Sequence, residues 1–207
     1  MGWWTEHVVP RIVDRSLALR ELQDVRRRVC APLHGRVLEI GFGSGLNVPH
    51  YPSAVTSVAA VEPSDVAWRM SAPRRTATGV PVERSGLDGQ ALAEDDHTCD
   101  TALVTFSLCT IPDADRALRE VARVLRPGGL LAFLEHGLAP DDDVVRWQHR
   151  LEPLQRRVAG GCHLTRDVAA LLVGAGFTVE DLERWYLPGP RASRPWVHLY
   201  AGNATAR

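Results

Sequence analysis

The chain has 207 residues, of which 45% are hydrophobic and 24% charged, and its formal net charge is -1. This length and composition are typical of one globular domain with its own core, and no change in composition divides the chain. A nearly neutral chain lacks the clustered basic charge that binds a phosphate backbone. These properties disfavour a disordered chain and a nucleic-acid partner, so we expect a small-molecule ligand.

The cysteine spacing and the length of the apolar runs bear on the compartment. Cys30, Cys99, Cys109 and Cys162 stand far apart with no C-x-x-C pair, so the sequence predicts neither a metal site nor a disulfide framework. Residues 1–10 contain no apolar signal segment, and no run approaches the roughly 18 apolar residues of a membrane span. Free thiols are typical of a reducing compartment. We therefore expect a cytoplasmic protein without an integral membrane segment, either a monomer or a homodimer.

The predicted elements alternate between helices and strands. An amphipathic helix is predicted over residues 12–29, and we expect it to lie over the ligand. Short apolar runs predict buried parallel strands at residues 37–40, 58–61, 80–82, 102–106 and 130–134. A clear helix over residues 113–125 ends at Pro-Gly-Gly. The order continues with a less regular segment at 141–161, a helix at 167–173 with Thr165 as its N-cap, and strands at 177–182 and 197–200. This alternation predicts an α/β sheet.

A glycine-rich turn follows the first predicted strand. Gly41, Gly43 and Gly45 have the spacing G-x-G-x-G, which allows a ligand to approach the backbone closely. A dinucleotide fingerprint would read G-x-G-x-x-G, but position 46 is leucine. The spacing therefore disfavours a nicotinamide-dependent dehydrogenase.

Two carboxylates flank this turn and favour S-adenosylmethionine (SAM). SAM has no pyrophosphate, so its loop needs little anion binding, and an acidic neighbour such as Glu39 is tolerable beside the sulfonium. Glu62 follows the second strand about twenty residues later, where a carboxylate can accept hydrogen bonds from both ribose hydroxyls. The loop and the acid together indicate SAM more specifically than either does alone.

At these motifs the chain resembles the class I SAM-dependent methyltransferases, and within them the methyltransferase type 11 group, which includes enzymes of quinone biosynthesis. The resemblance rests on EIGFGSG at residues 39–45, VEPS at 61–64, the strand at 100–108 and RVLRPGG at 123–129. It implies a Rossmann-like, doubly wound sheet of seven strands with an antiparallel last strand, SAM as cofactor and S-adenosylhomocysteine as product. It also implies a single domain over residues 1–207, with an N-terminal helical cap at 1–34, a SAM-binding core at 35–135 and an acceptor-side segment at 136–207.

The same resemblance assigns the cofactor-binding residues. In the type 11 group an acidic residue after the third strand commonly lies near the adenine, and here Gln90 replaces it, with Asp88 as a second candidate. The predicted cofactor-binding residues are Glu39, Gly41, Phe42, Gly43, Gly45, Asn47, Glu62, Pro63, Asp88, Gly89, Gln90 and Ser107.

A narrower resemblance concerns the methyl acceptor. The strings N-x-x-x-Y-P at residues 47–52, Glu-His at 135–136 and G-C-x-L-T-R at 161–166 are similar to those of the methyltransferase-like thiol methyltransferases. They imply a small, fairly apolar acceptor with a thiol group. The alternatives are a quinone, a phenol or a phospholipid headgroup, or a protein that binds SAM without turnover.

Residues just after the fourth and fifth strands are expected to border the transferred methyl group, because ligands bind at the carboxyl ends of parallel strands. Among them His136 is the candidate general base, since an imidazole titrates near neutral pH. The alternative is that His136 only hydrogen-bonds within a loop while orientation drives the reaction. Cys162 and His163 are expected to cover the pocket. Four aromatic residues outside the core are expected to shape it: Trp147, Trp185, Tyr186 and Trp196.

Overall fold

The computed structural model describes residues 7–206. Part of the stretch on which we based the absence of a signal segment, residues 1–6, lies outside this range. Within residues 7–206, no helix combines the length and the apolar character needed to cross a bilayer.

One mixed sheet forms the centre of the fold, with the strand order β3-β2-β1-β4-β5-β7-β6. The strands are β1 (Gly35–Ile40), β2 (Val55–Val61), β3 (Val82–Gly86), β4 (Cys99–Thr105), β5 (Leu125–His136), β6 (Phe177–Tyr186) and β7 (His198–Ala206). Strands β1 to β5 pair in parallel, and β7 is antiparallel to both of its neighbours. The predicted seven-stranded, doubly wound sheet with a reversed last strand is confirmed. Strand order reverses between β1 and β4, and such a switch point opens a crevice at the carboxyl ends of the strands.

Helices cover both faces of this sheet. They are α1 (Val9–Leu17), α2 (Arg20–Cys30), α3 (Asp65–Met70), α4 (Ala72–Ala77), α5 (Ala114–Val124), α6 (Asp142–Val158), α7 (Val168–Gly174) and α8 (Arg194–Val197), with 3-10 turns at Val48–His50 and Arg191–Ser193. Helix α5 has both of the local signals by which the sequence predicted it, a cap and an apolar period. Asp113 caps the helix by accepting from the Arg116 backbone N–H at 2.9 Å. Its periodic apolar residues are all buried.

Alternate residues of the central strands pack against opposite helical layers. Leu38, Val104 and Phe133 belong to a core shared with α5 and α7. Their chain neighbours Val37 and Leu103 belong to a second core, shared with α2. Successive side chains of a strand point to opposite faces of a sheet, so each parallel strand is apolar throughout.

The N-terminal segment contains two helices where the sequence predicts one. Leu19 is extended between them, with φ -56° and ψ 143°. Helix α2 buries Leu22, Val25 and Val29 beneath the sheet, whereas α1 has no buried residue. Because the chain is extended at Leu19, α2 packs in the core while α1 lies outside it.

Three further predictions of local structure are wrong. The segment at 141–161 contains the long helix α6, whose pattern is weak because it buries only Val144 and Gln148 and contains Pro153. The third strand begins at Val82 rather than ending there. It is an edge strand that fully buries no residue and exposes Glu83, so it lacks the continuous apolar run of the central strands. Asp167, and not Thr165, caps α7 by accepting from the Ala170 N–H at 3.1 Å.

Candidate active site

A cavity of about 510 Å³ opens at the carboxyl ends of β1, β2 and β4, a size typical of small-molecule and cofactor sites. Its lining includes every residue predicted to bind the cofactor except Glu39 and Gly45: Gly41, Phe42, Gly43, Asn47, Glu62, Pro63, Asp88, Gly89, Gln90 and Ser107. The topology thus brings together residues from four separate loops. Their roles in cofactor binding stay predictions.

The glycine turn after β1 is shaped by positive φ angles and one close approach. Gly41 and Gly43 have φ of +70° and +59°, a region that side chains with a Cβ avoid. A Cβ on Gly41 would lie 1.7 Å from the Ser107 Oγ, whereas one on Gly43 would meet nothing closer than 3.8 Å. Gly45, at φ +77°, packs against Val48 and lies behind the cavity wall. Position 41 therefore requires glycine both because its φ is positive and because a Cβ would clash with Ser107.

Glu62 ties this turn to the end of β2. Its Oε2 accepts from the Gly43 N–H at 2.6 Å and its Oε1 from the Ser64 N–H at 2.7 Å. Burial raises the pKa of Glu62, and the two N–H groups oppose that shift. Each carboxylate oxygen has a second lone pair. Glu62 can therefore hold the loop and still accept hydrogen bonds from two hydroxyls in the cavity.

Glu39 lies one layer behind the wall rather than on it. It is fully buried, with Oε1 accepting from the Asn47 Nδ2 at 2.9 Å and Oε2 from the Tyr51 hydroxyl. Asn47 also donates to the Thr105 Oγ1 at 2.9 Å and accepts from the Arg26 guanidinium at 2.5 Å. This network fixes Asn47 at the cavity wall, so Glu39 acts on the cavity through Asn47.

The Glu39 carboxyl predicts an unusual dependence of stability on pH. Burial raises its pKa to about 7, against the opposing effects of Tyr51, Asn47 and Arg26, while Glu62 raises it further. A carboxyl with a raised folded pKa keeps a proton that the unfolded chain loses, so its stabilising contribution disappears as pH rises from about 4.5 to about 7.

We therefore expect Glu39→Gln to flatten the fall in melting temperature between about pH 5 and pH 7 relative to the wild-type chain. Scanning calorimetry of the ligand-free protein measures this slope. The exposed Glu83 of β3 provides the control, because Glu83→Gln should keep the wild-type slope. Parallel curves for Glu39→Gln and the wild type would contradict the raised pKa.

Gln90 supports Asp88 in the loop after β3. The Gln90 amide donates to the Asp88 Oδ1 at 2.9 Å and accepts from the Asp113 N–H at 2.9 Å. The hydrogen bonds from the Gln90 side chain and backbone lower the pKa of Asp88. Exposed Asp88 is thus an ionised acceptor at the cavity, with Gln90 as its positioning partner.

Helix α1 forms one wall of the cavity with residues that the sequence analysis did not name. Its lining residues are Val9, Pro10, Val13, Asp14 and Leu17. Asp14 accepts from the Ser44 Oγ at 2.5 Å and from the Arg74 guanidinium at 3.1 Å, which ties the helix to the glycine turn. The amphipathic pattern of α1 is the same as that of a helix packed in the core. The sequence therefore predicted a helix over the ligand but not which of its residues line the cavity.

The comparisons with known proteins agree with this geometry. A model of the methyltransferase domain matches residues 38–133. Thiol S-methyltransferase TMT1B of Homo sapiens is 30% identical over 191 residues, which cover 83% of this chain and 77% of that protein. The chain belongs to the SAM-dependent methyltransferases. A ubiquinone biosynthesis O-methyltransferase of Rhizobium rhizogenes is 33% identical, covering 75% of this chain and 69% of its own.

A solved structure supports the fold of this methyltransferase. The SAM-dependent methyltransferase of Thermotoga maritima superimposes with a TM-score of 0.66 at 22% identity, covering 98% of this chain and 100% of that one. SAM is the cofactor of this family. The cavity suits it, because the glycine turn leaves room beside the backbone while Glu62 and Asp88 offer acceptors for hydroxyl and amino groups.

On the acceptor side of the methyltransferase, His136 faces a thiol. Its Nε2 lies 2.9 Å from the Cys162 Sγ. Burial opposes a charge on the ring, but the hydrogen bond and charge of Cys162 outweigh it and raise the pKa of His136. A hydrogen bond from Cys109 lowers the pKa of Cys162 to about 4, against burial and with help from His136. None of these three residues is among the described residues that line the cavity.

The remaining residues of the acceptor-side motifs brace the loop after β4. The buried Glu135 accepts from the N–H groups of Ser107 and Leu108 at 2.7 and 2.9 Å. The Arg166 guanidinium donates to the carbonyls of Leu108, Ile111 and Pro112. These contacts fix a loop that lines the cavity at Ser107, Thr110, Ile111 and Pro112.

Two other expectations concern the acceptor side: that Cys162 and His163 cover the pocket, and that four aromatic residues shape it. The loop before Cys162 reaches the cavity through Ala159 and Gly160, and the His163 N–H donates to the Cys109 carbonyl at 2.8 Å. The aromatic residues Trp147, Trp185, Tyr186 and Trp196 do not line the cavity, and Trp147 is 53% exposed. Apolar residues of α1 take the place that we expected these aromatics to fill.

Proposed function

We propose that this methyltransferase methylates the sulfur of a small, apolar thiol. The observation that carries the proposal is the composition of the cavity wall apart from Glu62 and Asp88. With the ribose and purine assigned to those carboxylates, the rest of the wall borders the acceptor. Most of its side chains are apolar, among them Val9, Val13, Leu17, Phe106 and Ile111. The thiol methyltransferase activity in the name of the human relative TMT1B supports this choice.

The charges of the cavity disfavour an acceptor that carries a phosphate group. Among the described residues that line it, Glu62 and Asp88 are acidic, Asp14 is paired with the Arg74 guanidinium, and the one basic side chain is that of Arg26. Arg26 already donates to Asn47 and Thr105 and lies near Glu39. A cavity with this balance attracts a sulfonium and repels a phosphate-bearing headgroup.

The chemistry needs little beyond placement. Bound SAM supplies an electrophilic methyl group. The apolar wall excludes water from a thiol, and the braced loop after β4 fixes its position; reaction requires an approach of about 3 to 3.5 Å. Free cysteine has a thiol pKa near 8.5, so about 3% of an acceptor with a similar pKa is thiolate at pH 7 without any base.

A panel of matched acceptors tests the proposal. The full chain is incubated with SAM and with an alkyl or aryl thiol, the corresponding alcohol or phenol, and the corresponding amine. S-adenosylhomocysteine release gives kcat/KM for each. We expect kcat/KM for the thiol to exceed the values for the matched alcohol, phenol and amine by about 100-fold or more. The matched acceptors present their nucleophilic atoms in the same orientation, and sulfur is the softest of these atoms. Preference for the phenol would instead favour the quinone alternative, and preference for the amine the headgroup alternative.

The predicted role of His136 as general base needs its own test. We infer that His136 positions the loop that carries Cys162, because its Nε2 faces that sulfur. The acceptor's own ionisation would then set the pH profile. We expect His136→Asn to lower kcat/KM by about 10-fold at every pH, whereas loss of a base would cost about 100- to 10,000-fold, and this larger loss would shrink as the thiol ionises. The exposed His149 of α6 gives the control variant His149→Asn, for which we expect an unchanged profile.

A further inference from the structure

We propose that Cys109, His136 and Cys162 form a binding site for a thiophilic divalent cation, Zn²⁺. The two Sγ atoms and one imidazole nitrogen lie within 4.8 Å of one another, and His136 Nε2 is 2.9 Å from Cys162 Sγ. Zinc bonds of about 2.3 Å to sulfur and 2.0 Å to nitrogen place tetrahedral ligand atoms roughly 3.5 to 3.8 Å apart. Shifts of about 1 Å or less would therefore complete the coordination.

The fold holds these three ligands in place through separate elements. Cys109 lies in the loop after β4, and its carbonyl accepts from the His163 N–H at 2.8 Å. His136 is the last residue of β5 and pairs with Leu199 of β7. The Cys162 N–H donates to the Ala159 carbonyl at 3.2 Å. Backbone contacts thus place the donors independently of any ion, which is the preorganisation that a metal site needs.

The donor set selects the class of metal. Two sulfurs and an imidazole suit Zn²⁺ or another thiophilic ion and do not suit Mg²⁺ or Ca²⁺, which prefer oxygen ligands. Both cysteines are buried while His136 is partly exposed, so an ion would enter beside the imidazole. Gln155 Nε2 lies 3.6 Å from Cys162 Sγ and can donate to a coordinated thiolate. Three protein ligands leave the fourth position of a tetrahedral ion open to water or an external ligand.

Occupation of this site would join two loops of the cavity wall. Thr110 follows Cys109 directly, Gly160 lies two residues before Cys162, and both line the cavity. An ion bound to both cysteines and to His136 would connect these two segments to the end of β5. We therefore expect metal binding to stabilise the folded chain, independently of which acceptor the methyltransferase uses.

Cobalt titration of the reduced, chelator-treated full chain tests the site, because Co²⁺ is a spectroscopic substitute for Zn²⁺. We expect one Co²⁺ per chain, with thiolate-to-cobalt charge-transfer bands and the visible bands of a tetrahedral ion, both removed by added Zn²⁺. Cys162→Ser should raise the dissociation constant about 100-fold or more, and Zn²⁺ should no longer raise its melting temperature. Cys99→Ser, at a buried cysteine outside the cluster, should retain the wild-type spectrum.

A second variant keeps the test decisive if Cys162→Ser does not fold. His136→Asn replaces a partly exposed ligand and should keep thiolate bands while binding Co²⁺ at least about 10-fold more weakly. The proposal is overturned if the wild-type chain shows no thiolate-to-cobalt bands, or if folded Cys162→Ser shows the same bands. It is also overturned if the fully reduced chain binds no ion and the two cysteines only form a disulfide on oxidation.

Discussion

The Glu62→Ala variant is expected to bind SAM about 100-fold or more weakly than the wild-type chain. The carboxylate is 5% exposed and accepts the Gly43 and Ser64 N–H groups. Its removal leaves these donors unpaired and also removes the acceptors that we assign to the ribose hydroxyls. Each hydrogen bond to a charged group contributes about 1.5 to 3 kcal/mol, so two lost bonds correspond to roughly 100-fold or more in affinity.

Isothermal titration with SAM measures this effect, and circular dichroism shows whether the variant is folded. Glu83→Ala removes an exposed carboxylate from β3, outside the cavity, and should bind SAM as the wild-type chain does. Unchanged affinity in a folded Glu62→Ala variant would contradict the assignment of Glu62 to the cofactor.

The Gly41→Ala variant is expected to lose about 2 to 4 kcal/mol of stability, together with measurable SAM binding. A non-glycine residue at positive φ costs about 1 kcal/mol, and forcing a methyl group into occupied space adds about 1 to 3 kcal/mol. The added Cβ would lie 1.7 Å from the Ser107 Oγ and 2.6 Å from the Ser107 Cβ, so rotation of the hydroxyl alone cannot relieve the clash and the loop after β4 must move. That loop and Gly41 both line the cavity, so its displacement removes the shape that binds SAM.

Gly43→Ala separates conformation from crowding. Its φ of +59° imposes a similar backbone cost, but no atom lies closer than 3.8 Å to the added Cβ. We expect Gly43→Ala to lose only about 1 kcal/mol in urea denaturation. Equal losses for the two variants would show that the contact with Ser107 does not restrict position 41.

The sequence predicted those parts of the fold in which local pattern and tertiary environment agree. The buried strands at residues 37–40 and 102–106 read as continuous apolar runs because helices cover both of their faces. The cap and apolar face of α5 also identify a helix directly. Edge strand β3 was misplaced and the largely exposed helix α6 was predicted only as a less regular segment, since neither buries enough side chains to impose a clear period.

The candidate site shows a similar division. A glycine turn followed by Glu62 is a local signal, and the structure places these residues around one cavity. The position of Glu39 behind Asn47 could not be predicted, because it depends on burial and on contacts with Tyr51 and Arg26. The cluster of Cys109, His136 and Cys162 was missed for a topological reason. Cys109 follows β4, His136 ends β5 and Cys162 follows α6, so only the tertiary fold brings them together.

Identification of the methylated product tests the thiol proposal most directly. The full chain is incubated with SAM and a small apolar thiol, with the matched phenol and amine in parallel mixtures, and the products are identified by mass spectrometry. We predict equal amounts of S-adenosylhomocysteine and the S-methyl thioether from the thiol, and little product from its partners. Methylation of the phenol or the amine but not of the thiol would contradict thiol methylation, and so would SAM binding without any methylated product.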